Sequence, residues 1–213
     1  MDPRARYDAL LARHLRRPEG FLGRFVSGRL DRRNHDLIAA AVEALDPAAG
    51  SVVADIGFGG GVGLHLLLEA PGVEEAVGID ISSSMLAAAR RRFEAELAAG
   101  RLRLESGSLE EMPLPDASLD GALTVNTIYF LDDLGAALAE LGRVLRPGGR
   151  LAIGIGDPDA MAEMPFTAHG FRLRPIAELE SAIADSGFHL VEHRRVGGGK
   201  VPAHLLLIES SRR

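Results

Sequence analysis

The stretch VVADIGFGGGVG at residues 52–63, followed downstream by GIDIS at residues 78–82, decides how this chain folds. An apolar run ending at Asp55 predicts a buried strand, and the glycines after it allow the backbone to turn tightly and approach a ligand. The residues from Val62 predict a helix whose free N–H groups face the same ligand. A second apolar run ends at Asp80, where a carboxylate can accept both hydroxyls of a ribose. The two segments predict a nucleoside-binding crevice at the carboxyl ends of parallel strands.

The spacing of the glycines limits which class of nucleotide or nucleoside ligand the loop can bind. A dinucleotide fingerprint needs glycines at n, n+2 and n+5. Val62 and Leu64 occupy the positions that would complete that pattern. No Gly-Lys-Ser/Thr sequence occurs, because the single lysine of the chain is Lys200. The spacing therefore disfavours both a nicotinamide-dependent oxidoreductase and a phosphate-binding P-loop.

Length and composition indicate one domain with room for a small appendage. The chain has 213 residues, of which 46% are hydrophobic, and it contains no cysteine. The absence of cysteine excludes disulfides and thiolate metal sites and is compatible with a reducing compartment. We find no hydrophobic signal core and no run long enough to span a membrane, so we expect a cytoplasmic protein.

Charge is distributed unevenly along the chain. Residues 1–33 hold nine arginines and four acidic residues, which gives this segment a net charge of +5. Because the whole chain has a net charge of −6, the remaining residues carry −11. A solvated amphipathic helix explains this pattern, and so does a basic lid over an anionic ligand. Contact with RNA or a membrane is a further option. The overall negative charge disfavours a large nucleic-acid footprint.

Hydrophobic periodicity predicts strands alternating with helices, which implies a parallel sheet with right-handed crossovers. The predicted helices cover residues 3–16, 31–45, 62–69, 83–99, 132–145 and 175–186. The predicted strands cover residues 52–56, 75–80, 101–106, 120–125, 150–155, 188–196 and 202–209. The last two strands flank three glycines and predict an antiparallel hairpin. Residues 147–149 predict a turn before the fifth strand.

Four segments, at residues 55–61, 78–82, 107–115 and 143–150, resemble motifs of class I S-adenosylmethionine-dependent methyltransferases. Their order is similar to that of the small-molecule, ubiquinone/menaquinone methyltransferase-like group. The resemblance implies an α/β, Rossmann-like fold: a mainly parallel seven-stranded sheet with an antiparallel C-terminal strand, helices on both faces and an N-terminal helical lid. Residues 1–46 would form that cap or lid. Residues 47–213 would form the methyltransferase domain, with 157–172 as an acceptor-side insert.

The resemblance also assigns cofactor contacts. Asp55 would face the ammonium group of the methionine moiety, and Asp80 would bind the ribose hydroxyls. Ile81 and Leu109 would cover the adenine. Ser108 stands where the family usually has aspartate, so its contact with the adenine amino group would be weaker. The implied cofactor is S-adenosyl-L-methionine, with S-adenosyl-L-homocysteine as product, held by Asp55, Gly57, Gly59, Asp80, Ile81, Ser108, Leu109 and Asn126.

The reaction would be an in-line displacement that needs alignment and exclusion of water, and a base only where the acceptor loses a proton. His169 and Tyr129 are the preferred candidates for that base, with His14 and His35 as further histidines at the mouth of the crevice. Methionines and phenylalanines between residues 161 and 171 favour a small apolar acceptor. We expect no metal, since no cluster with ligand spacing occurs.

The residues that follow the fourth predicted strand limit the possible methyl acceptors further. The family's Asn/Asp-Pro-Pro-Tyr/Phe motif is replaced by NTIY at residues 126–129, which disfavours methylation of bases or glutamine. Two rival functions remain open: an RNA methyltransferase that uses the basic N-terminus, and a non-catalytic regulator that binds S-adenosylmethionine. The oligomeric state is also open, with a homodimer as one option.

Overall fold

The computed structural model describes Arg6 and residues 8–12, 34–197 and 202–211. Its centre is a seven-stranded sheet in the order β3-β2-β1-β4-β5-β7-β6. The strands are β1 Ser51–Ile56, β2 Val73–Asp80, β3 Leu102–Ser106, β4 Leu119–Val125, β5 Leu145–Gly156, β6 Phe188–Val196 and β7 Ala203–Ser210. Strand β7 pairs antiparallel with both β5 and β6, and the other described pairs are parallel. The predicted α/β class, with a mainly parallel seven-stranded sheet, is confirmed.

Helices cover both faces of the sheet. Residues 8–12 (α1) and 34–45 (α2) are helical. The later helices are α3 Val62–Glu69, α4 Ser83–Arg92, α5 Glu94–Ala98, α6 Leu134–Val144, α7 Pro158–Ala162 and α8 Ile176–Asp185, with single 3-10 turns at Ile128–Phe130 and Pro165–Ala168. The rest of the predicted N-terminal helices lies outside the described residues.

The core has two parts, one on each face of the sheet. Apolar residues of α2, α3 and α4 pack together on one side, and those of α6 and α8 pack on the other. Leu37 and Ala41 of α2 are buried in the first part. A Cβ added to Gly154 of β5 would lie 3.1 Å from Leu37 Cγ. We therefore count α2 among the helices that complete the core, although it falls within the predicted cap over residues 1–46.

Two local predictions need correction. The helix predicted over residues 83–99 is divided at Phe93, whose backbone leaves helical geometry at φ −113° and ψ 34°. Its ring is buried, 4% exposed, and a Cβ on Gly61 would lie 3.0 Å from it. The predicted turn at 147–149 lies inside β5, where the register against β4 shifts between Leu119 and Gly121. A bulge absorbs the extra residues there without ending the strand.

The C-terminal hairpin is confirmed by the pairing of β6 with β7. Its connection at residues 198–201 lies outside the described residues. No described helix has the length and apolar character needed to cross a bilayer. The carboxyl ends of β1, β2, β4 and β5 meet at one edge of the sheet, and the candidate site is built there.

Candidate active site

The glycine loop after β1 is held against the ends of two neighbouring strands. The amide of Gly57 donates to the carbonyl of Ile79 in β2 over 2.7 Å. Gly57 has a φ of +76°, and an added Cβ would lie 2.5 Å from Oγ1 of Thr127, just beyond β4. Glycine alone combines this φ with such a close approach. The steric demand at Gly57 comes from Thr127, which no sequence motif indicates.

Asp80 connects the two segments that opened the sequence analysis. Its Oδ2 accepts from the amide of Gly59 over 3.0 Å, and its Oδ1 accepts from the amide of Ser82 over 2.8 Å. The carboxylate is 6% exposed. Burial raises the pKa of Asp80 above its usual value, and the hydrogen bonds from Ser82 and Gly59 partly oppose that rise. The acid thus fixes the loop as well as lining the crevice.

Asp55 lies beneath the start of α3. Its side chain is buried, and Oδ2 occupies the space that a Cβ on Gly63 would need. A carboxylate in this position is stabilised by the positive end of the helix dipole. Helix α3 begins after Gly61, which makes no side-chain cap hydrogen bond. Gly63 is therefore a site residue that the motif contains but that spacing arguments gave no role.

The residues assigned to adenine differ in exposure. Ile81 is 41% exposed and directly follows the buried Asp80 at the carboxyl end of β2. Leu109 is buried in the core. The hydroxyl of Ser108 accepts from the amides of Glu110 and Glu111, at 3.3 and 3.1 Å. Ser108 thus closes a local turn, and its adenine contact stays a prediction.

Asn126 and Tyr129 join the ends of β4 and β5. Asn126 has a left-handed backbone, with φ +57°. The Tyr129 hydroxyl donates to Oδ1 of Asn126 over 3.1 Å and accepts from the amide of Gly156 over 2.5 Å. Tyr129 is 3% exposed, and burial raises its pKa above the usual value. The phenol therefore keeps its proton at neutral pH.

Aromatic side chains in the turn after β4 pack against those of residues 157–172. Phe171 packs against Phe130, Phe166 and Tyr129, with ring centroids 4.7, 5.6 and 5.7 Å apart. The amide of Arg172 donates to the carbonyl of Tyr129 over 2.8 Å. We name these four rings, Tyr129, Phe130, Phe166 and Phe171, the aromatic cluster. It fastens the insert at 157–172 to the turn after β4.

The remaining candidates are histidines and acidic residues that are not members of this cluster. His169 follows the 3-10 turn of the insert and is exposed, and His35 is exposed on α2. His14 lies outside the described residues. Asp133 caps α6 through the amide of Ala136, and Asp132 pairs with Arg172 at 2.6 Å. In the part of the chain that the structure describes, no three His or acidic side chains are placed to hold a metal ion.

Known proteins resemble this chain in sequence and in fold. A family model described as "Methyltransferase domain" matches residues 54–153. An O-methyltransferase from Pyrenophora dematioidea is 32% identical over 155 residues, which are 70% of this chain and 58% of that protein. This chain thus spans little more than half the length of that relative. The uncharacterized methyltransferase YdaC of Bacillus subtilis is 30% identical over 149 residues, covering 70% of this chain and 80% of YdaC.

One solved structure illustrates the shared fold. It is the geranyl diphosphate C-methyltransferase of Streptomyces coelicolor, in complex with Mg²⁺, geranyl diphosphate and S-adenosyl-L-homocysteine. The two chains superpose with a TM-score of 0.72 at 15% identity, over 90% of this chain and 84% of the other. Because a YdaC match covers most of both sequences and the sheet carries the family's strand order, this chain belongs to the class I S-adenosylmethionine-dependent methyltransferases.

Proposed function

We propose that this chain transfers a methyl group from S-adenosylmethionine to a small, apolar organic molecule. The observation that carries the proposal is the bond between Asp80 and the Gly59 amide, beside the exposed side chain of Ile81. A carboxylate and an apolar surface, adjacent at the carboxyl ends of parallel strands, suit a ribose and an adenine. When bound, S-adenosylmethionine supplies an electrophilic methyl on a cationic sulfonium.

The described residues fit this cofactor. The bare backbone of Gly57 and Gly59 leaves room for it, and the buried Asp55 places a carboxylate at the end of β1 beside this loop. We assign its binding to Asp55, Gly57, Gly59, Asp80, Ile81, Ser108, Leu109 and Asn126. The contribution of Ser108 is the smallest, because its hydroxyl already accepts from two amides.

The aromatic cluster supports an apolar acceptor. Phe166 and Phe171 are partly exposed, so their rings offer apolar surface next to the crevice. The name of the Pyrenophora relative indicates transfer to oxygen, and the Streptomyces structure holds an isoprenoid acceptor. Either chemistry suits a site lined by rings. We propose residues 1–30 and 157–172 as a lid that excludes water from it.

We assign different roles to the two candidate catalytic residues. Tyr129 keeps its proton and contacts Asn126 and Gly156, so we propose that it positions the ends of β4 and β5. His169 is exposed on the insert, where an imidazole can accept a proton from the acceptor. If the acceptor carries a hydroxyl, His169→Ala should lower kcat by about 100-fold near neutral pH. An unchanged pH profile of kcat would remove His169 from the mechanism.

The compartment and the oligomeric state are extensions of the same proposal. A cysteine-free chain suits the cytoplasm, where thiols stay reduced. A homodimer is compatible with the exposed edge strand β6.

One experiment tests the reaction. The protein is incubated with methyl-labelled S-adenosylmethionine and either a metabolite extract or total RNA, and the labelled product is identified. Label in a small organic molecule supports the proposal, and label in RNA favours the rival enzyme. Tight binding of the cofactor without any transfer favours the non-catalytic regulator. Absence of binding by calorimetry would overturn all three functions.

A further inference from the structure

The side chain of Arg174 reaches from just beyond the insert to the turn after β4. Its Nη1 donates to the carbonyl of Ile128 over 3.1 Å, and its Nη2 donates to the carbonyl of Leu131 over 2.9 Å. These acceptors are 46 and 43 residues earlier in the chain. The side chain is 12% exposed, so the guanidinium is largely shielded from water. One guanidinium therefore joins the first residue of the 3-10 turn to the residue that follows it.

The turn takes its donors from outside itself. A short 3-10 turn leaves its last carbonyls without partners within the turn. The carbonyl of Tyr129 accepts from the amide of Arg172 over 2.8 Å, and that of Leu131 accepts from Arg174. The carbonyl of Ile128 accepts from the Leu131 amide over 3.4 Å, so Arg174 supplies its shorter hydrogen bond. Residues 172 and 174 together satisfy the turn.

The shape of the guanidinium suits this contact. Its nitrogens form a planar fork of fixed geometry that can bridge two acceptors, whereas a lysine ammonium is a single point charge. Oε1 of Glu178 lies 3.8 Å from Nε of Arg174, which is beyond hydrogen-bond distance, and the Glu178 side chain is 61% exposed. The two carbonyls, rather than Glu178, therefore fix the orientation of the guanidinium.

Arg174 approaches the turn from a well-packed support. It directly precedes Pro175, whose carbonyl accepts from the amides of Glu178 and Leu179 at the start of α8. Leu179 and Ile183 of this helix are buried in the core. A residue before proline is restricted to extended backbone, which limits the directions in which its side chain can leave. The turn is thus tied to the core through α8 as well as to the rings of the insert.

The turn carries Tyr129 and directly follows the end of β4. The Tyr129 hydroxyl contacts Asn126 and Gly156, and Asn126 keeps a left-handed backbone at φ +57°. A residue other than glycine persists in such a conformation where its surroundings fix it. We propose that Arg174 is a positioning residue for methyl transfer, because it fixes the turn that keeps Tyr129 and Asn126 in place. Its effect on turnover rests on the proposed function, whereas its effect on Tyr129 does not.

The place of the phenol can be followed directly, because the chain has two tyrosines and no tryptophan. Full-length protein labelled with carbon-13 at tyrosine Cζ gives two resonances, and the one that Tyr129→Phe removes belongs to Tyr129. Arg174→Lys keeps the positive charge but loses the fork, so the Tyr129 resonance should shift or split. Arg172→Lys is the matched control, since its side chain is 58% exposed and its main-chain bond to Tyr129 is kept. An unchanged Tyr129 resonance in Arg174→Lys would overturn the proposal.

The second measurement is the rate of label transfer from methyl-labelled S-adenosylmethionine to a metabolite extract. At saturating cofactor, Arg174→Lys should lower this rate by about 10- to 100-fold, because a small misplacement of the reacting groups costs this much. Affinity for S-adenosyl-L-homocysteine should stay within about threefold of wild type, since the bond between Asp80 and Gly59 is kept. Arg172→Lys should match wild type in both measurements.

The outcomes separate positioning from a purely structural role. Rates are measured well below the melting temperature of each variant, so a loss of stability alone leaves the rate per folded molecule unchanged. An unchanged rate beside a shifted Tyr129 resonance would overturn the role in methyl transfer. An equal loss in Arg172→Lys would overturn the assignment to the Arg174 guanidinium.

Two further comparisons keep the test decisive. Arg174→Gln, whose amide is too short to bridge both carbonyls, replaces Arg174→Lys if that variant does not fold. If the wild type binds S-adenosyl-L-homocysteine but transfers no label, the proposed function fails. The tyrosine spectra still test whether Arg174 holds the turn, so the two failures are distinguishable.

Discussion

The two sides of the crevice are built by different means. On the cofactor side, the contacts are made mainly by backbone amides. The amide of Gly57 donates to the carbonyl of Ile79, and the amides of Gly59 and Ser82 donate to the Asp80 carboxylate. On the proposed acceptor side, packed rings and the hydroxyl of Tyr129 connect the segment 157–172 to the ends of β4 and β5. A backbone site tolerates few residue types, whereas a packed site tolerates many combinations of similar volume. The comparison predicts sharp losses from changes on the first side and graded losses on the second.

The largest effect is expected from Asp80→Ala. This change leaves a buried amide and a partly buried amide without their acceptor and removes the proposed ribose ligand, so affinity for S-adenosyl-L-homocysteine should fall at least about 100-fold. Calorimetry measures it, with Glu74→Ala on the exposed side of the same strand as control. If Asp80→Ala binds S-adenosyl-L-homocysteine within about twofold of wild type, Asp80 does not contribute to cofactor binding.

The pH dependence of the same group has a defined sign. Because burial raises the pKa of Asp80, the unliganded fold binds its proton more readily than the unfolded chain does. The ionised carboxylate thus lowers the stability of the unliganded protein above that pKa. Asp80→Asn should therefore lose cofactor affinity while its melting temperature at pH 7 stays equal to wild type or rises. A clear fall in melting temperature would show that the hydrogen bonds to the charged form outweigh its desolvation.

The next effect concerns stability. Gly57→Ala places a Cβ at φ +76° and 2.5 Å from Thr127 Oγ1, and we expect a loss of about 2–4 kcal/mol in the free energy of unfolding. Gly100→Ala is the matched control, since Gly100 has φ +69° with no atom within 4 Å of an added Cβ. It should lose only about 1–2 kcal/mol, the cost of the backbone alone. Equal losses of unfolding free energy in the two variants, measured by urea titration, would mean that the Thr127 side chain moves aside at no cost.

Tyr129→Phe tests how the two sides are joined. It keeps the ring in the aromatic cluster but removes the oxygen between Gly156 and Asn126, at a cost of about 1–3 kcal/mol. Cofactor affinity should stay near wild type, and kcat should fall by about tenfold or less. A fall of about 100-fold or more, with an altered pH profile, would instead assign Tyr129 to proton transfer.

The smallest effect is expected from Phe166→Ala. The ring contacts only Phe171 among the rings of the cluster, so its removal should raise the acceptor KM by about three- to tenfold. Cofactor affinity should not change. Leu190→Ala, an exposed apolar side chain on β6, is the control. A loss of cofactor affinity in Phe166→Ala would contradict the division between the two sides.

Sequence patterns predicted most of the fold. Periodicity located every strand of the sheet to within a few residues, except the start of β5. That start was missed because Pro147 and two glycines suggest a turn, whereas pairing with β4 lets the strand continue through a bulge. The division of the helix at Phe93 was also missed. The Phe93 ring is buried next to Gly61, which lies more than thirty residues earlier in the chain, so no local pattern indicates this packing.

The candidate site was predicted unevenly for the same reason. Asp55, Gly57 and Asp80 follow from local chemistry, because a tight turn and a strand-end acid each leave a local signature. The burial of Tyr129, the place of Thr127 beside Gly57 and the contacts of His204 with His193 and Asp157 depend on elements far apart in sequence. Two histidines on neighbouring antiparallel strands become partners only through their register.

The sequence by itself determined the fold class, the glycine loop after β1 and the acid at the end of β2. Glycine and aspartate at these positions satisfy requirements of the backbone. Only the tertiary structure decided which side chain approaches Gly57, which phenol is buried and which rings pack together. Burial and distance set these properties, and both arise when remote segments pack together.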